Sequence, residues 1–455
     1  MIKKRAEIKA GLMKEAERVI DELLDWGEET AEPNLTQIEG IVLKLRQGLS
    51  ERMVQGVAGG QEAVRPVPGP KCRGCGEEMR YKGMLPKTVT SWVGEVRLER
   101  GYYYCDHCKS GLFPLDEQLE LWEKNWSEGV AKEAVWISGV VDSFEEAEEV
   151  MRRIGHLEMS DSTIWRRVEK WGVQFEELAA ERREQATILP KRGEIVAHIA
   201  RRGNERMGVA MDGGMVHILE EGWKELKAGC VYDIEQRPTF DKETQEWIEL
   251  GHAVNNSYVA HLGGPEVFGQ LVWAEAKERG WEEVYDSQVM GDGAHWIWNL
   301  GAEHFYDSFQ TVDWYHSSDH LHTAAQLCYP DDPAARQRWY NASETTLFQG
   351  HAEKIAADLD HRASGNSRRA TNLRTEAGYF ENNKRRMQYL ELREEGYPIG
   401  SGMIESGIKQ FKARFTGPGM RWSRKGIERL IPIRAAILSR QFDTAWSSVY
   451  NSPKN

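Results

Sequence analysis

SQVMGDGAHWIWNLG, residues 287–301, is the stretch on which the reading of this 455-residue chain turns. Val289 and Met290 make an apolar step fit to end a buried strand, and the chain then enters Gly291-Asp292-Gly293. A helix-like, tryptophan-rich segment follows from about His295. α/β proteins expose chemical groups in this way, at the loop leaving the C-terminal end of a strand. The same carboxylate can also do no more than turn the chain and cap the helix. The rest of the sequence decides between the two.

The pattern occurs a second time. In MGVAMDGGM (207–215) another apolar run reaches a carboxylate, Asp212, followed by glycine. AGCVYDI (228–234) and SYVAHL (257–262) read as further short strands. PEVFGQLVWAEAKERG (265–280) reads as a helix, because Val267, Phe268, Leu271 and Ala274 recur at helical spacing. FQTVDWYH (309–316) reads as another strand. Strands first in series and then alternating with helices predict a mixed sheet with helices against it. Residues 317–398 are strongly charged and predominantly helical in pattern, an insertion within a domain expected over 191–440. Residues 441–455 are a C-terminal tail.

Upstream, residues 2–25 and 35–55 read as helices, and the Gly- and Pro-rich stretch 56–70 as a linker, giving an N-terminal region over 1–69. Cys72-Arg-Gly-Cys75 and Cys105-Asp-His-Cys108 follow, with a hairpin between them: Thr88-Val89-Thr90 and Val96-Arg97-Leu98 flank a Val93-Gly94 turn. Each CxxC places two thiolates on one side of a tight knuckle, and two knuckles complete a tetrahedron. The spacing predicts a zinc ribbon over 70–115 with a closed, structural Zn²⁺ site. Cys230 and Cys328 stand alone and are expected to be reduced and buried. Residues 116–190 read as helical. Two helices about Gly155, the second capped by Ser160 or Ser162, have helix-turn-helix spacing, with Arg166, Arg167 and Lys170 on the polar face for DNA.

The formal net charge of −13 argues against a protein that coats nucleic acid with a uniformly basic surface. The charge is uneven, however. Asp116–Val150 holds 11 acidic and 2 basic residues, whereas Gly407–Arg440 holds 9 Lys or Arg against one acid. A local polyanion partner is therefore compatible with the sequence. No apolar run is long enough to span a membrane, and the charged N-terminus lacks the pattern of a secretory signal, so a cytoplasmic protein without membrane association is expected.

A third carboxylate comes from YPIGSGMIESGIKQFKARF (397–415). Gly400-Ser401-Gly402 opens a helix, and Glu405 lies in its first turns ahead of Lys409 and Lys412. Carboxylates brought together from strand ends can share Mg²⁺, which takes oxygen ligands and keeps positions open for a substrate phosphate. The order Asp212, Asp292, Glu405, together with VAMDGG, GDGAHWI, DWYHSSDHL and GSGMIESGIK, resembles the DDE-type transposases of bacterial insertion sequences. RGYYYCDHCKSGLFPLDEQL most resembles the ISKra group. The resemblance implies a multidomain α+β and α/β protein: N-terminal helices, a zinc ribbon, a helix-turn-helix-like segment, and a ribonuclease-H-like mixed-sheet core with a helical insertion. It makes Asp212, Asp292 and Glu405 the catalytic triad and the ligands of two Mg²⁺ (or Mn²⁺) ions. The implied partners are double-stranded DNA, as terminal inverted repeats and target, and further copies of the chain in a homo-oligomer on paired ends. The implied activity is hydrolysis at the element's ends followed by strand transfer.

Asp313, in DWYHSSDHLH, is the rival carboxylate. His316 and His320 stand at i and i+4 and could bind zinc with Asp313 or Asp319; Asp313 and His316 read rather as neighbours that orient the metal ligands. In the basic C-terminal segment, Lys409, Lys412, Arg414, Arg421, Arg424 and Lys425 are candidate phosphate contacts, with Phe411, Phe415 and Trp422 as candidate base-stacking groups or as core. Rival functions are a zinc-ribbon DNA-binding regulator with a non-catalytic core, a metal-dependent nuclease without strand transfer, and a hydrolase of small phosphate esters.

Overall fold

The structure, a computed structural model, describes residues 5–187, 206–241 and 245–452. The expected start of the catalytic domain, 191–205, and the end of the tail, 453–455, lie outside the described residues. The chain divides into two compact units, Met1–Ile137 with Phe144–Arg167, and Ser138–Ser143 with Val168–Asn455.

In the first unit α1 (Arg5–Glu29) and α2 (Leu35–Gly59) form an antiparallel hairpin. Asn34 starts α2 through a capping box: its side chain accepts the Gln37 N–H, and the Gln37 side chain accepts the Asn34 N–H, each at 3.0 Å. The stretch expected as a linker is packed instead. α2 continues to Gly59, Val64 is buried, and the Pro66 carbonyl accepts from the Tyr103 hydroxyl at 2.7 Å. Its glycines serve close approach, since a Cβ on Gly60 would stand 2.8 Å from Ile8.

β1 (Arg80–Ser91) and β2 (Gly94–Cys105) are the expected hairpin, with Val89 opposite Val96. Gly94 leaves the turn at φ +113°, which glycine adopts without strain. Along β2, Val96 and Leu98 are buried and Glu95, Arg97 and Glu99 exposed, the two-residue period of a sheet with one covered face. β3 (Ser110–Leu112) pairs with the end of β2, and α3 (Pro114–Gln118) follows. α4 (Glu128–Val140), α5 (Phe144–Arg153) and α6 (Asp161–Thr187) come next. α5 and α6 are the two helices expected about Gly155. Ser160 is the residue at the start of the second, its carbonyl accepting from Ile164 N at 3.0 Å.

The second unit is built on a five-stranded mixed sheet in the order β6-β5-β4-β7-β8. β4 (Arg206–Ile218), β5 (Gly222–Asp241) and β6 (Glu246–Leu262) are antiparallel; β7 (Asp286–Gly291) and β8 (Phe309–Val312) run parallel to β4. The strands are longer than the sequence suggested. β4 runs straight through Gly213-Gly214, because β5 supplies an unbroken ladder from Arg206↔Ile234 to Ile218↔Gly222. β8, in contrast, ends at Val312, and the DWYH expected within a strand enters a helix.

α7 (Pro265–Glu278) and α8 (His295–His304) cover the sheet as expected and bury Phe268, Val272, Ile297 and Leu300 against Val209, Met211 and Val289. Helices α9 (Trp314–Cys328), α10 (Pro333–Phe348), α11 (Ala352–Arg362), α12 (Arg368–Asn383) and α13 (Tyr389–Glu394) make up the stretch expected as a helical insertion. The chain closes with α14 (Gly402–Phe415), α15 (Arg424–Leu438) and α16 (Phe442–Asn451).

Candidate active site and cysteine centre

Parallel register brings the first two carboxylates together. Ala210 of β4 is partnered with Met290 of β7, and that ladder ends there. Asp212 and Asp292 are each two residues further on, so they leave adjacent strands at the same level. β7 has ended, whereas β4 continues with β5 alone. Asp292 Oδ1 accepts the Ala294 N–H at 2.9 Å, which makes the turn, and its second oxygen takes no hydrogen bond from the described residues. The chain-turning and site-forming readings of Asp292 are therefore compatible, one oxygen to each. Gly293 sits at φ +107°, and a Cβ there would stand 3.0 Å from the Tyr379 ring. The Tyr379 hydroxyl donates to the Asp292 carbonyl at 3.3 Å.

Glu405 arrives on α14. That helix lies over β4, where a Cβ on Gly214 would be 3.4 Å from both Ile408 and Lys412, and over β6, where Gly407 leaves room for the Tyr258 ring. Ser401 Oγ donates to Glu405 Oε1 at 3.3 Å, and Lys409 Nζ lies 3.5 Å from Oε2. Asp212 feels both of the other acids. Burial pushes the Asp212 carboxyl up to about 6; the Gly213 N–H opposes this, the charges of Asp292 and Glu405 add to it, and His316 pulls it down. Asp212, Asp292 and Glu405 make an oxygen-donor set suited to a hard divalent cation. They are not drawn into contact. Among the described residues only the four cysteines bring three or more Cys, His, Asp or Glu ligand atoms within 4.8 Å of one another.

Asp313 has a different place from the triad. It is 3 % exposed and caps α9, with Oδ2 accepting the His316 N–H at 2.8 Å and Oδ1 the Ser401 N–H at 2.6 Å. Its own N–H donates to the Gly291 carbonyl at 2.8 Å. Burial raises its carboxyl and the two N–H groups hold it down. Both oxygens are thus committed to backbone, tying the end of β7, the start of α9 and the start of α14 at one point. Nor do His316 and His320 form a zinc site: His320 Nδ1 is 2.7 Å from Glu376 Oε2, and its ring stacks on Tyr379 at 3.7 Å. Tyr379 and Glu376 come from the insertion, where no motif announces them. Ser401 was visible only as part of the glycine-flanked helix start.

The basic candidates divide. Lys412, Arg421 and Lys425 are exposed, as is Lys409 beside Glu405. Arg414 is 1 % exposed, donates to the Ser138 carbonyl at 2.8 Å and lies over the Trp422 ring, so it holds the fold rather than a phosphate. Arg424 is taken by Glu221 and Glu428, and its guanidinium lowers the Glu221 carboxyl to about 2. Phe411, Phe415 and Trp422 are buried, which makes them core and removes the base-stacking reading. On α6, Arg166 is exposed, but Arg167 pairs with the buried Glu123 at 2.8 Å and covers the Trp126 ring. Lys170 lies over the Trp171 ring.

The cysteine centre is compact. The sulfurs of Cys72, Cys75, Cys105 and Cys108 lie within 4.8 Å of one another, and those of Cys75 and Cys105 are 3.6 Å apart. Bonds of about 2.3 Å to one tetrahedral ion require sulfurs about 3.8 Å apart, so the set fits a structural metal such as zinc. Backbone N–H groups of Cys75 and Gly74 lower the Cys72 thiol to about 6. Cys108, crowded by the other sulfurs, is pushed up to about 12. Four thiols this close cannot all ionise unless a cation shares their charge. Gly74 is held close by the same packing, a Cβ there standing 3.1 Å from Cys108 Sγ. Cys230 and Cys328 are buried and free, as expected.

No curated protein matches the chain. The sequence pattern of an uncharacterised protein family, UPF0236, matches residues 76–446, from just past Cys75 into the last helix, and the chain belongs to that family.

Proposed function

We propose that this UPF0236 protein is a DNA transposase of the DDE type, one that recognises the terminal inverted repeats of an insertion sequence and cuts and joins DNA there. The observation that carries this is the register of β4 and β7, which sets Asp212 beside Asp292, with Glu405 close enough to raise the Asp212 carboxyl. The family's association with transposase-like proteins supports the reading. So does the mixed sheet with helices against it, the architecture that a ribonuclease-H-like core requires. Asp212, Asp292 and Glu405 would hold Mg²⁺ or Mn²⁺, two ions by the resemblance; bound there, the metal supplies Lewis-acid activation for phosphodiester hydrolysis and strand transfer.

The chain's own residues prepare that site. The Asp292 turn leaves one oxygen unspent, and Gly293 keeps the strand end narrow enough for Tyr379 to close over its backbone. Asp313 fixes the Ser401 N–H, and Ser401 in turn holds Glu405. The exposed Lys409, Lys412, Arg421 and Lys425 would meet phosphates. The four cysteines would hold structural Zn²⁺ and keep the ribbon folded.

The test is incubation of the purified protein with DNA carrying the gene's flanking ends and Mg²⁺ or Mn²⁺, beside Asp292→Asn. Cleavage and joined products that vanish in the variant support the transposase. Cleavage without joining would point to a nuclease, and tight end binding with no cleavage to a regulator.

A further inference from the structure

The α1–α2 hairpin takes no part in the proposed chemistry, and α1 is physically incomplete. None of its 25 residues is buried, although helices in proteins draw most of their stability from packing an apolar face. Ile8, Leu12, Val19 and Leu23 share one side and are half-buried; Ile8 reaches to 3.1 Å from where a Gly56 Cβ would stand in α2. A second stripe, Met13, Ile20 and Leu24, is 62 %, 55 % and 61 % exposed. These residues are spaced by seven and four and so share a face.

α2 carries a matching stripe, Leu35, Ile38 and Val42, 69 %, 38 % and 42 % exposed. Ile8 stands beside Gly56 and Gly60, and Arg18 beside Gly48, so Leu24 lies level with Val42, with Ile38 one turn further toward the loop. In an antiparallel pair, stripes rotated alike from the shared seam lie on one side. The hairpin therefore presents a continuous apolar face.

Charge indicates what covers it. The first part of α1 holds Arg5, Lys9 and Lys14 against Glu7. The remainder holds Glu17, Asp21, Asp25, Glu28 and Glu29, besides Glu15 and Glu22, which both pair with Arg18. That order opposes the helix dipole, which favours acids at the N-terminus and cations at the C-terminus; the last turn of α1 has no basic residue. Unfavourable within one helix, it becomes favourable against an antiparallel copy, where each basic half meets an acidic half.

We propose that a second copy of this chain docks on this face, α1 against α1 about a two-fold axis, two hairpins forming a four-helix bundle. The inference stands whether or not the carboxylates cut DNA. Sedimentation equilibrium of the full chain over a range of concentrations, with circular dichroism as the control for folding, is the experiment. The wild type is expected to be dimeric, and Ile20→Glu/Leu24→Glu to raise the dissociation constant at least about 100-fold. Lys9→Glu/Lys14→Glu and Asp21→Lys/Asp25→Lys change exposed positions and leave folding intact. Each is expected to self-associate more weakly than wild type, and an equimolar mixture to recover a heterodimer. A monomeric wild type, a dimer indifferent to the Ile20 and Leu24 changes, or a mixture no tighter than its parents would overturn the proposal.

Discussion

Cys72, Cys75, Cys105 and Cys108 come from the two ends of one hairpin, and their sulfurs have already converged. Asp212, Asp292 and Glu405 come from two strands and a distant helix, and Asp292 and Glu405 come only close enough to raise the Asp212 carboxyl. Thiols can be neutral and therefore crowd together before a metal arrives, whereas carboxylates repel until a cation is present. One set of ligands is closed, and the other is open and half-exposed. What a residue costs when removed should follow this difference.

The largest expected effect is on the closed side. Structural zinc in small metallo-domains is worth about 10–16 kcal/mol of folding free energy. Cys105→Ser, or strong chelation, should empty the centre and open residues 71–112 to protease, read by metal content and limited proteolysis. The melting of the second unit should not follow. If both units melt together, the independence of the two centres is lost.

Next comes the open side. Asp292→Asn and Glu405→Gln should leave thermal stability unchanged and lower DNA cleavage by about 10²–10³, the scale of losing a preorganised electrostatic partner of the transition state. Asp313→Asn should behave as an intermediate. Its amide would turn a donor toward either His316 N–H or Ser401 N–H, so Glu405 should loosen. Cleavage should then need more metal for half-maximal rate, and extra metal should restore part of it.

The basic segment repeats the contrast on a smaller scale. Arg414→Ala removes a buried charge-assisted donor and should cost about 3 kcal/mol of stability in denaturant titration. Arg421→Ala should cost under about 0.5 kcal/mol and reduce the salt slope of DNA binding by about 1.

The remaining effect, smaller than that at Arg414, is on pH. The Asp212 carboxyl is raised from 3.8 to about 6 by folding, so between those values the native chain keeps a proton that the unfolded chain has lost. Stability of the metal-free protein should therefore fall as pH rises through this window and stay lower above it. Asp212→Asn should melt higher than wild type near neutrality, by about 1 kcal/mol after allowance for solvent screening, and match it near pH 4.

The same difference explains what could be read from the sequence. The cysteine centre was legible because its ligands have a fixed local spacing. Asp212 and Asp292 were legible because apolar runs precede both, although the continuation of the first strand past Met215 to Ile218 was not, since it depends on the β5 ladder. Asp313 was recognised as a rival but its work was hidden: its bonds to Ser401 and Gly291 join residues far apart in the chain. Arg414 reads as a DNA contact, and Trp422 as either a stacking group or core, because sequence shows charge and aromaticity without burial. Tyr379 and Glu376 had no signature at all.

Mn²⁺ binding to zinc-loaded protein, followed by electron paramagnetic resonance, tests the account most directly. Wild type should bind Mn²⁺ while retaining its zinc, and Asp212→Asn/Asp292→Asn should lose the Mn²⁺ and keep both the zinc and the fold. Mn²⁺ binding that survives the double substitution, or its absence from the wild type, would contradict the claim that these carboxylates form a metal centre.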